Sequence, residues 1–287
     1  MSQADFVAPF RFEPQASYAD YNHFQACPLN GAIGAEITDV DLSTADKEVL
    51  QELEQALLNH LVLVIRDQHL SAPQLTAIGR HFGDLHINPF VAGNPDAPEV
   101  IEIRSEENDD KRFTGLWHSD ISWGKTPSLG ALLHAVKLPE YGGETLFANM
   151  YLAYETLSDG MKTMLAPLRA EHRVDIHKSF DSDYADMEAD SVLHPVIRTH
   201  PATGRKLLFI NEYFTSRFEN MTRDESKPLL DYLCRHAVRA DFSCRVQWQP
   251  NTLVFWDNRC TQHYATNDYL GQPRLMHRVT INGDKPY

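Results

Sequence analysis

Residues Asn251–Arg278, with the sequence NTLVFWDNRCTQHYATNDYLGQPRLMHR, decide the fold of this 287-residue chain. The run from Thr252 to Trp256 is apolar and rich in β-branched and aromatic residues, which predicts a buried strand. Two turn-prone residues end this run, and His263 follows on a predicted loop. A second strand-like run closes the stretch and brings in Arg274 and Arg278. The stretch therefore gathers one imidazole and two guanidinium groups around a strand–loop–strand unit.

The two arginines of this unit, Arg274 and Arg278, are four residues apart, so they share one face of an extended strand. A buried guanidinium without an anionic partner is very costly, and the pair therefore needs anions nearby. Acidic side chains could supply them, and so could acidic ligands. The strand alone leaves both possibilities open.

A second polar stretch lies far upstream, at Trp117-His118-Ser119-Asp120. On an extended segment the side chains of His118 and Asp120 point to one face, where they can take adjacent positions on a metal ion. The distant His263 would complete a set of two histidines and one carboxylate. Such a facial set suits non-haem Fe(II) and leaves positions open for a chelating co-substrate and oxygen. Alone, the tripeptide is weak evidence in a chain with 14 histidines.

The order of several motifs along the chain is more specific than any one of them. These motifs are Trp117-His118-Ser119-Asp120, Gly142-Gly143-Glu144-Thr145, Leu193-His194-Pro195-Val196, Asn211-Glu212, Trp256-Asp257-Asn258-Arg259, Gln262-His263, Arg274 and Met276-His277-Arg278. With them, the chain resembles the Fe(II)/2-oxoglutarate dioxygenases of the taurine dioxygenase group. The resemblance covers nearly the whole chain from about Leu29 onward. Aryloxyalkanoate-cleaving dioxygenases of the same group are also similar over Met221–Trp248.

The resemblance implies a mixed α+β fold with a double-stranded β-helix (jelly roll) core and flanking helices. Many short strands separated by turns, with about four helices, agree with a sandwich or barrel that carries helices outside. We expect a single dioxygenase domain over residues 29–287. Residues 1–28 show no periodicity and are predicted to form an N-terminal arm. The group often forms dimers or tetramers, so a homo-oligomer is expected.

The resemblance also implies roles for individual residues. His118, Asp120 and His263 match the catalytic metal ligands of the family, which implies bound Fe(II) and the use of O2. Arg274 matches the arginine that binds the distal carboxylate of the co-substrate 2-oxoglutarate, and Thr145 matches the threonine that helps to hold it. A guanidinium suits this task because it can meet a carboxylate with two parallel hydrogen bonds.

For the substrate, the resemblance assigns Arg278 to the acidic head group. Further substrate-pocket positions match at Ser179, Phe180 and Phe214, and the aromatic side chains would form an apolar wall. Three pocket positions depart from the pattern of taurine dioxygenases, which have histidine, tyrosine and asparagine where this chain has Asn88, Val91 and Thr114. The polar contacts that taurine needs are thus partly lost, which favours a less polar anion.

We therefore predict hydroxylation of an alkyl sulfonate or alkyl sulfate ester, giving succinate, CO2 and an unstable product that fragments. The alternative within the same class is an aryloxyalkanoate or another carboxylate. Two alternatives come from other classes. One is a cupin-like protein that binds iron and 2-oxoglutarate without turnover. The other is a zinc hydrolase, which would leave Arg274 and Thr145 unexplained.

Composition narrows the possible partners. The net charge is −14, from 26 basic and 40 acidic residues, which argues against general nucleic-acid binding. No apolar run approaches the ~20 residues that span a bilayer, so no membrane association is predicted. The N-terminus lacks the pattern of a secretory signal, and the four cysteines form no CxxC pair. A cytoplasmic location is expected, with a small anionic molecule as substrate.

Local patterns predict individual elements. Helices are expected over 45–60 with Ser43 or Thr44 as the cap, from a Ser71 cap to Gly83, over 153–168, and from a Thr222 capping box to about 238. A buried strand is expected over 61–65. Residues 242–248 and 252–256 are predicted to form a hairpin, and 275–281 to form the final strand.

Overall fold

A computed structural model describes residues 12, 20–87, 92–107, 115–174 and 191–287 of the chain. The helices are α1 (Lys47–His60), α2 (Ala72–Phe82), α3 (Met150–Glu155), α4 (Asp159–Leu165) and α5 (Arg223–Ala237). The first eight strands are β1 (Gln25–Pro28), β2 (Ala35–Thr38), β3 (Val62–Ile65), β4 (Gly93–Asn94), β5 (Ala97–Ser105), β6 (Gly130–Lys137), β7 (Thr145–Asn149) and β8 (Arg169–Arg173). The others are β9 (Ser191–Pro195), β10 (Ile197–Thr199), β11 (Lys206–Leu208), β12 (Thr215–Phe218), β13 (Ser243–Val246), β14 (Leu253–Asp257), β15 (Thr261–Ala265) and β16 (Arg274–Ile281).

The strands form one large sheet and three small ones. The large sheet has eight strands in the order β1-β2-β3-β14-β6-β16-β5-β4. The small sheets have the orders β13-β7-β15, β12-β8-β9 and β10-β11. Sheets and helices together give a mixed α/β architecture, as predicted at that level.

The central strands β3 and β14 of the large sheet are buried along their whole length, which explains their uninterrupted apolar runs. Along β14, Leu253 and Phe255 join the cluster that packs under α1 and α2. Val254 and Trp256 point to the opposite face and join the cluster around β7, α3 and α5. This period-two alternation places Trp256, which is 1% exposed, on the same side of the sheet as the candidate site.

The helix predictions are confirmed where a capping motif defines the start. Ser71 caps α2 as predicted, where it forms a capping box with Gln74, and Thr222 forms the predicted capping box of α5. The predicted cap of α1 is wrong, because Asp46 accepts the hydrogen bond from the backbone N–H of Val49. An Asp is as good an N-cap as Ser or Thr, so apolar spacing alone does not choose between them. No helix in the described part of the chain is long and apolar enough to cross a membrane.

Three other local predictions are wrong. The helix expected over 153–168 is two helices, because Asn149 caps α3 and Ser158 starts α4 with a cap of its own. The expected hairpin does not form, since β13 pairs with β7 whereas β14 pairs with β3 and β6. His263 lies in β15 and not on a loop. Most of the predicted arm over 1–28 lies outside the described residues, and its last four residues form β1.

Candidate active site

A short β-bridge brings the upstream and downstream motifs together. His263 lies in β15, which pairs antiparallel with β7. His118 and His263 then form an antiparallel bridge of their own. The N–H of His118 donates to the carbonyl of His263 at 3.1 Å, and the N–H of His263 donates back at 2.8 Å. Two histidines that are 145 residues apart in sequence (263 − 118) therefore face the same point.

The three predicted metal-ligating side chains point their donor atoms at one another. Asp120 Oδ1 lies 3.7 Å from His118 Nε2 and 3.7 Å from His263 Nε2. One ligand atom from each residue lies within 4.8 Å of the other two, close enough for a single ion to share all three. His118 Nδ1 donates to the carbonyl of Leu116 at 2.9 Å, which leaves the lone pair on Nε2. Two imidazole nitrogens and one carboxylate oxygen form a donor set that fits Fe(II).

The electrostatics keep this set in its metal-binding form. Burial lowers the pKa of His118, and it lowers the pKa of His263 to about 3. Burial by itself raises the pKa of Asp120, but the positive charge of Arg278 and the two histidines lower it to about 2. At neutral pH the site therefore presents two neutral imidazoles and one carboxylate.

The Asp120 segment is fixed by Asn258, whose place in the motif Trp256-Asp257-Asn258-Arg259 predicts a turn but not this contact. The Asn258 side-chain oxygen accepts the N–H of Asp120 at 2.8 Å. Its amide donates to the carbonyl of Asp120 at 3.0 Å and to the hydroxyl of Ser128 at 2.9 Å. Ser119 adds a hydrogen bond to the carbonyl of Thr261 at 2.7 Å. The turn after β14 therefore sets the position of the carboxylate.

Arg278 lies directly beside the carboxylate of this set. Its Nη2 donates to Asp120 Oδ2 at 2.5 Å, which leaves Oδ1 facing the histidines. Its guanidinium carbon lies 5.4 Å from the ring centroid of Trp256. Its Nε is buried and has no hydrogen-bond partner among the described residues. The guanidinium is thus only partly satisfied and can accept a second anion.

Arg274 is in a different state from Arg278. It is 6% exposed, and no carboxylate of the described residues pairs with it. Its Nη2 donates to the carbonyl of Gly143 at 3.3 Å, and its Nε has no partner in the described part of the chain. Burial lowers the pKa of Arg274, and the neighbouring Tyr269 acts in the opposite direction. A buried cation with so few partners is a site that an anionic ligand can complete.

Thr145 lies two residues after the glycine that Arg274 contacts. Its hydroxyl oxygen accepts the indole N–H of Trp248 at 3.1 Å. The threonine proton is therefore free to be donated to an acceptor such as a carboxylate. Trp248 was not predicted to contribute to the site, and nothing in its sequence pattern marks it, because the contact depends on the pairing of β13 with β7.

One side of the metal-ligand set is apolar. Val174, Tyr213 and Phe214 form a small buried cluster with Leu116 and Trp123 packed against it. We call this cluster the aromatic wall. The rings of Tyr213 and Phe214 have their centroids 5.7 Å and 6.1 Å from that of His118.

Of the aromatic wall, only Phe214 was predicted from the sequence. The adjacent aromatic pair was the signal that could have drawn attention to Tyr213. The other predicted substrate positions, Asn88, Val91, Thr114, Ser179 and Phe180, lie outside the described residues. Those five assignments stay predictions.

A second cluster of metal-ligating types, His200, Asp257 and Cys260, has another explanation. His200 Nδ1 accepts the backbone N–H groups of Ala202 at 3.3 Å and Thr203 at 3.2 Å. Its Nε2 therefore carries the proton and donates it to Asp257 at 3.1 Å. Asp257 is also bound by Arg259 through two hydrogen bonds, at 2.9 Å and 2.6 Å. Both nitrogens of His200 are thus used, and the cluster braces the turn that carries Asn258.

Comparisons with known proteins agree with this geometry. Residues 25–280 match the family described as taurine catabolism dioxygenase TauD, TfdA family. The chain is 32% identical to an alkylsulfatase of Acinetobacter baylyi, over 89% of this chain and 84% of that protein. It is 32% identical to an (S)-phenoxypropionate/alpha-ketoglutarate dioxygenase of Sphingobium herbicidovorans, over 91% of this chain and 96% of that protein.

Solved structures show the same relationship. A crystal structure of a taurine dioxygenase from Burkholderia xenovorans superimposes with a TM-score of 0.81 at 33% identity. The superposition covers 92% of this chain and 91% of the taurine dioxygenase chain. The zinc hydrolase and the non-catalytic binding protein find no support in these relationships. The chain belongs to the taurine catabolism dioxygenase TauD, TfdA family, and it is an oxidoreductase that depends on Fe(II), 2-oxoglutarate and O2.

Proposed function

We propose that His118, Asp120 and His263 hold Fe(II), and that Arg274 and Thr145 hold the distal carboxylate of 2-oxoglutarate. The donor set, the free Nε of Arg274 and the available proton of Thr145 support these roles. Fe(II) supplies the coupling of 2-oxoglutarate decarboxylation, which gives succinate and CO2, to hydroxylation of a substrate C–H bond. The protein contributes orientation and the exclusion of water.

We further propose that the sheets form the double-stranded β-helix expected from the sequence. The strands β6, β14 and β16 of the large sheet and the small sheet β13-β7-β15 would form its two faces. In support, β14 and β15 follow each other in sequence yet lie in different sheets. The single domain over 29–287, the N-terminal arm, the homo-oligomer and the cytoplasmic location also stay proposals.

For the substrate, we propose a small organic anion with a sulfate or sulfonate head group and an apolar body. The observation that carries this proposal is the partly satisfied Arg278 beside Asp120, together with the aromatic wall beside His118 of the same metal-ligand set. Arg278 would bind the anionic head group, and the wall would hold the apolar body beside His118. This would bring a C–H bond next to the head group close to the metal-ligand set. Relatives named alkylsulfatase and taurine dioxygenase support this class.

Fragmentation of the product follows from the chemistry of that position. Hydroxylation of the carbon that bears the ester oxygen or the sulfur puts a hydroxyl and a leaving group on the same carbon. The hydroxyl loses its proton and forms the C=O bond as the C–O or C–S bond breaks, which gives an aldehyde or a ketone and releases sulfate or sulfite. The head group is thus released as an inorganic anion without hydrolysis.

An aryloxyalkanoate is the second candidate, and the aromatic wall is the observation that favours it. The rings of Tyr213 and Phe214 lie edge to face at 4.4 Å between centroids, and offset aromatic packing of this kind accepts another ring. The phenoxypropionate dioxygenase relative supports the same reading. In this case Arg278 would bind a carboxylate in place of a sulfate.

Succinate release from 2-oxoglutarate, with Fe(II), ascorbate and air, tests the proposal across a panel of acids. The panel contains taurine, alkyl sulfonates, alkyl sulfates and aryloxypropionates, with a control that lacks substrate. Stimulation by alkyl sulfates or alkyl sulfonates is the expected result. Stimulation by aryloxypropionates alone would transfer the assignment to the second candidate. Stimulation by taurine at the same level as by alkyl sulfates would contradict the argument from lost polar contacts.

The role of Arg278 is tested with Arg278→Ala. Charge-assisted hydrogen bonds contribute about 1.5–3 kcal/mol each, so the KM of the substrate should rise at least about tenfold. The affinity for 2-oxoglutarate should be retained. Arg104→Ala on β5, which pairs with β16, removes a half-exposed arginine and should change neither. Equal losses for substrate and co-substrate in Arg278→Ala would show that the two arginines are misassigned.

A further inference from the structure

The loop that follows β15 packs against the buried Arg274. Tyr269 lies on this loop and is 6% exposed. The guanidinium carbon of Arg274 lies 5.5 Å from the centroid of its ring, within the range of a cation–π contact. The guanidinium also donates to the carbonyl of Gly143, and a side-chain hydrogen bond with Tyr269 helps to raise the pKa of Arg274 against the effect of burial. Tyr269 therefore contacts the cation, while Arg274 Nε has no hydrogen-bond partner among the described residues.

Hydrogen bonds between this loop and the turn before β7 set the position of Tyr269. Asp268 Oδ1 accepts the N–H of Gly143 at 2.9 Å and the hydroxyl of Thr266 at 2.8 Å. The backbone N–H of Thr266 donates to the carbonyl of Glu144 at 3.0 Å. These bonds tie the loop to the turn immediately before the tyrosine. They also occupy the carboxylate of Asp268, which forms no ion pair with Arg274.

The two glycines of that turn make the close approach possible. Gly142 and Gly143 have φ values of +76° and +68°, the left-handed region that favours glycine. A Cβ at Gly142 would lie 2.7 Å from the Asp268 carboxylate oxygen. A Cβ at Gly143 would lie 3.1 Å from the Tyr269 ring and 3.4 Å from Arg274 Nε. Turn, tyrosine and guanidinium therefore form one tightly packed unit.

We propose that Tyr269 is a positioning residue that orients Arg274 for the distal carboxylate of 2-oxoglutarate. This proposal rests on the proposed role of Arg274. The ring holds one face of the guanidinium and Gly143 holds one nitrogen, so the remaining N–H groups point away from both. A guanidinium that is already oriented loses less rotational freedom on binding a carboxylate. The tyrosine thus acts through the arginine and has no contact with the reacting atoms.

The binding of two ligands distinguishes a positioning role of Tyr269 from a purely structural role. 2-Oxoglutarate carries the distal carboxylate, and 2-oxopentanoate has the same chain of five carbons without it. Both are titrated into the Fe(II)-loaded protein under argon, and binding is measured by calorimetry. Wild-type protein should bind 2-oxoglutarate far more tightly. If it does not, the proposed role of Arg274 fails, whatever the tyrosine does.

Given that preference, Tyr269→Leu should weaken 2-oxoglutarate binding about tenfold, which is about 1.4 kcal/mol. It should leave 2-oxopentanoate binding and Fe(II) content unchanged. Tyr269→Phe keeps the ring face and removes only the hydroxyl and its hydrogen bond to Arg274, so it should lose clearly less 2-oxoglutarate affinity than Tyr269→Leu. Tyr141→Leu, on the same turn but 66% exposed, is the matched control and should bind both ligands normally.

Three outcomes would overturn the proposal. Equal weakening of both ligands in Tyr269→Leu would indicate a structural role only. Unchanged binding of 2-oxoglutarate would show that the ring does not orient Arg274. An equal loss in Tyr269→Phe would show that the ring face is not the relevant contact. If the leucine variant does not fold, Asp268→Ala, which frees the loop without removing the ring, should give the same loss selective for 2-oxoglutarate.

Discussion

No carboxylate among the described residues pairs with Arg274. Replacing this arginine should therefore have opposite effects on thermal stability in the absence and in the presence of the co-substrate. Arg274→Met removes the cation and keeps most of the apolar stem. The wild-type guanidinium is buried, and no carboxylate among the described residues pairs with it, so its removal relieves a desolvation cost. Without co-substrate, the variant should therefore melt at the wild-type temperature or above it. With co-substrate, it should lose the stabilisation that binding provides.

The size of the second part can be worked out. Loss of two charge-assisted hydrogen bonds, at about 1.5–3 kcal/mol each, weakens 2-oxoglutarate binding by about 100-fold or more. At a concentration of about 100 times the wild-type Kd, the ligand stabilises wild type by about 2.7 kcal/mol and the variant by about 0.4 kcal/mol. A chain of 287 residues shifts by about 2 °C per kcal/mol. The expected shifts in melting temperature are about 5 °C for wild type and under about 1 °C for Arg274→Met.

Thermal unfolding of the Fe(II)-loaded protein under argon, with and without 2-oxoglutarate, measures both parts. Arg198→Met is the matched control, because Arg198 is also buried but forms two hydrogen bonds to Asp284 at 3.0 Å. That variant should melt at a lower temperature and keep the ligand shift. If Arg274→Met lost as much stability as Arg198→Met, or kept a 5 °C shift, the reasoning would be refuted.

Three further predictions concern other parts of the molecule. His263→Ala should abolish both Fe(II) retention and succinate release, and full activity in this variant would exclude His263 as a ligand. Trp248→Phe removes the donor to Thr145, and we expect a loss of a few-fold in 2-oxoglutarate affinity with Fe(II) content unchanged. Glu171 is 5% exposed, and burial by itself raises its pKa. Hydrogen bonds from Arg217 and Ser216 and the positive charge of Arg217 lower the pKa of Glu171 to about 2. Because the folded pKa lies below the ordinary value of 4.5, this group should stabilise the fold by at most about 3 kcal/mol above pH 4.5, and lose that effect as the pH falls towards 2. Urea unfolding of Glu171→Gln should show a deficit at pH 7 that shrinks at pH 3, and a deficit independent of pH would contradict it.

The sequence predicts those parts of the fold that depend on short-range chemistry. The capping boxes of α2 and α5 and the strand β3 follow from residues within a few positions of one another. The partner of a strand is different, because it is chosen by packing across the whole chain. For this reason the hairpin predicted for β13 and β14 was wrong, although both were strands. The same holds for His263, whose strand exists only through its pairing with β7.

The site shows the same division. Side chains with distinctive chemistry, such as the histidines and arginines, stand out in the sequence through their types and spacing. The contacts that Trp248, Asn258 and Tyr269 make with site residues do not, because each contact joins two different elements of the fold. In a sequence, a tryptophan or a tyrosine is as consistent with core packing as with a role in a site. Only the geometry shows which polar atom or charge it touches.

The charges of the site also restrict the substrate. Without ligands, the described core of the site carries the negative charge of Asp120 and the positive charges of Arg274 and Arg278, with two neutral imidazoles. Fe(II) adds two positive charges, and 2-oxoglutarate adds two negative ones, so the loaded site keeps one positive charge. A substrate with a single negative charge brings the sum to zero, which matters because net charge in a buried site is costly. A sulfonate, a sulfate monoester and a carboxylate each carry one charge at neutral pH, whereas a phosphate monoester carries nearly two. The site therefore favours the head groups proposed above over phosphate esters of the same shape.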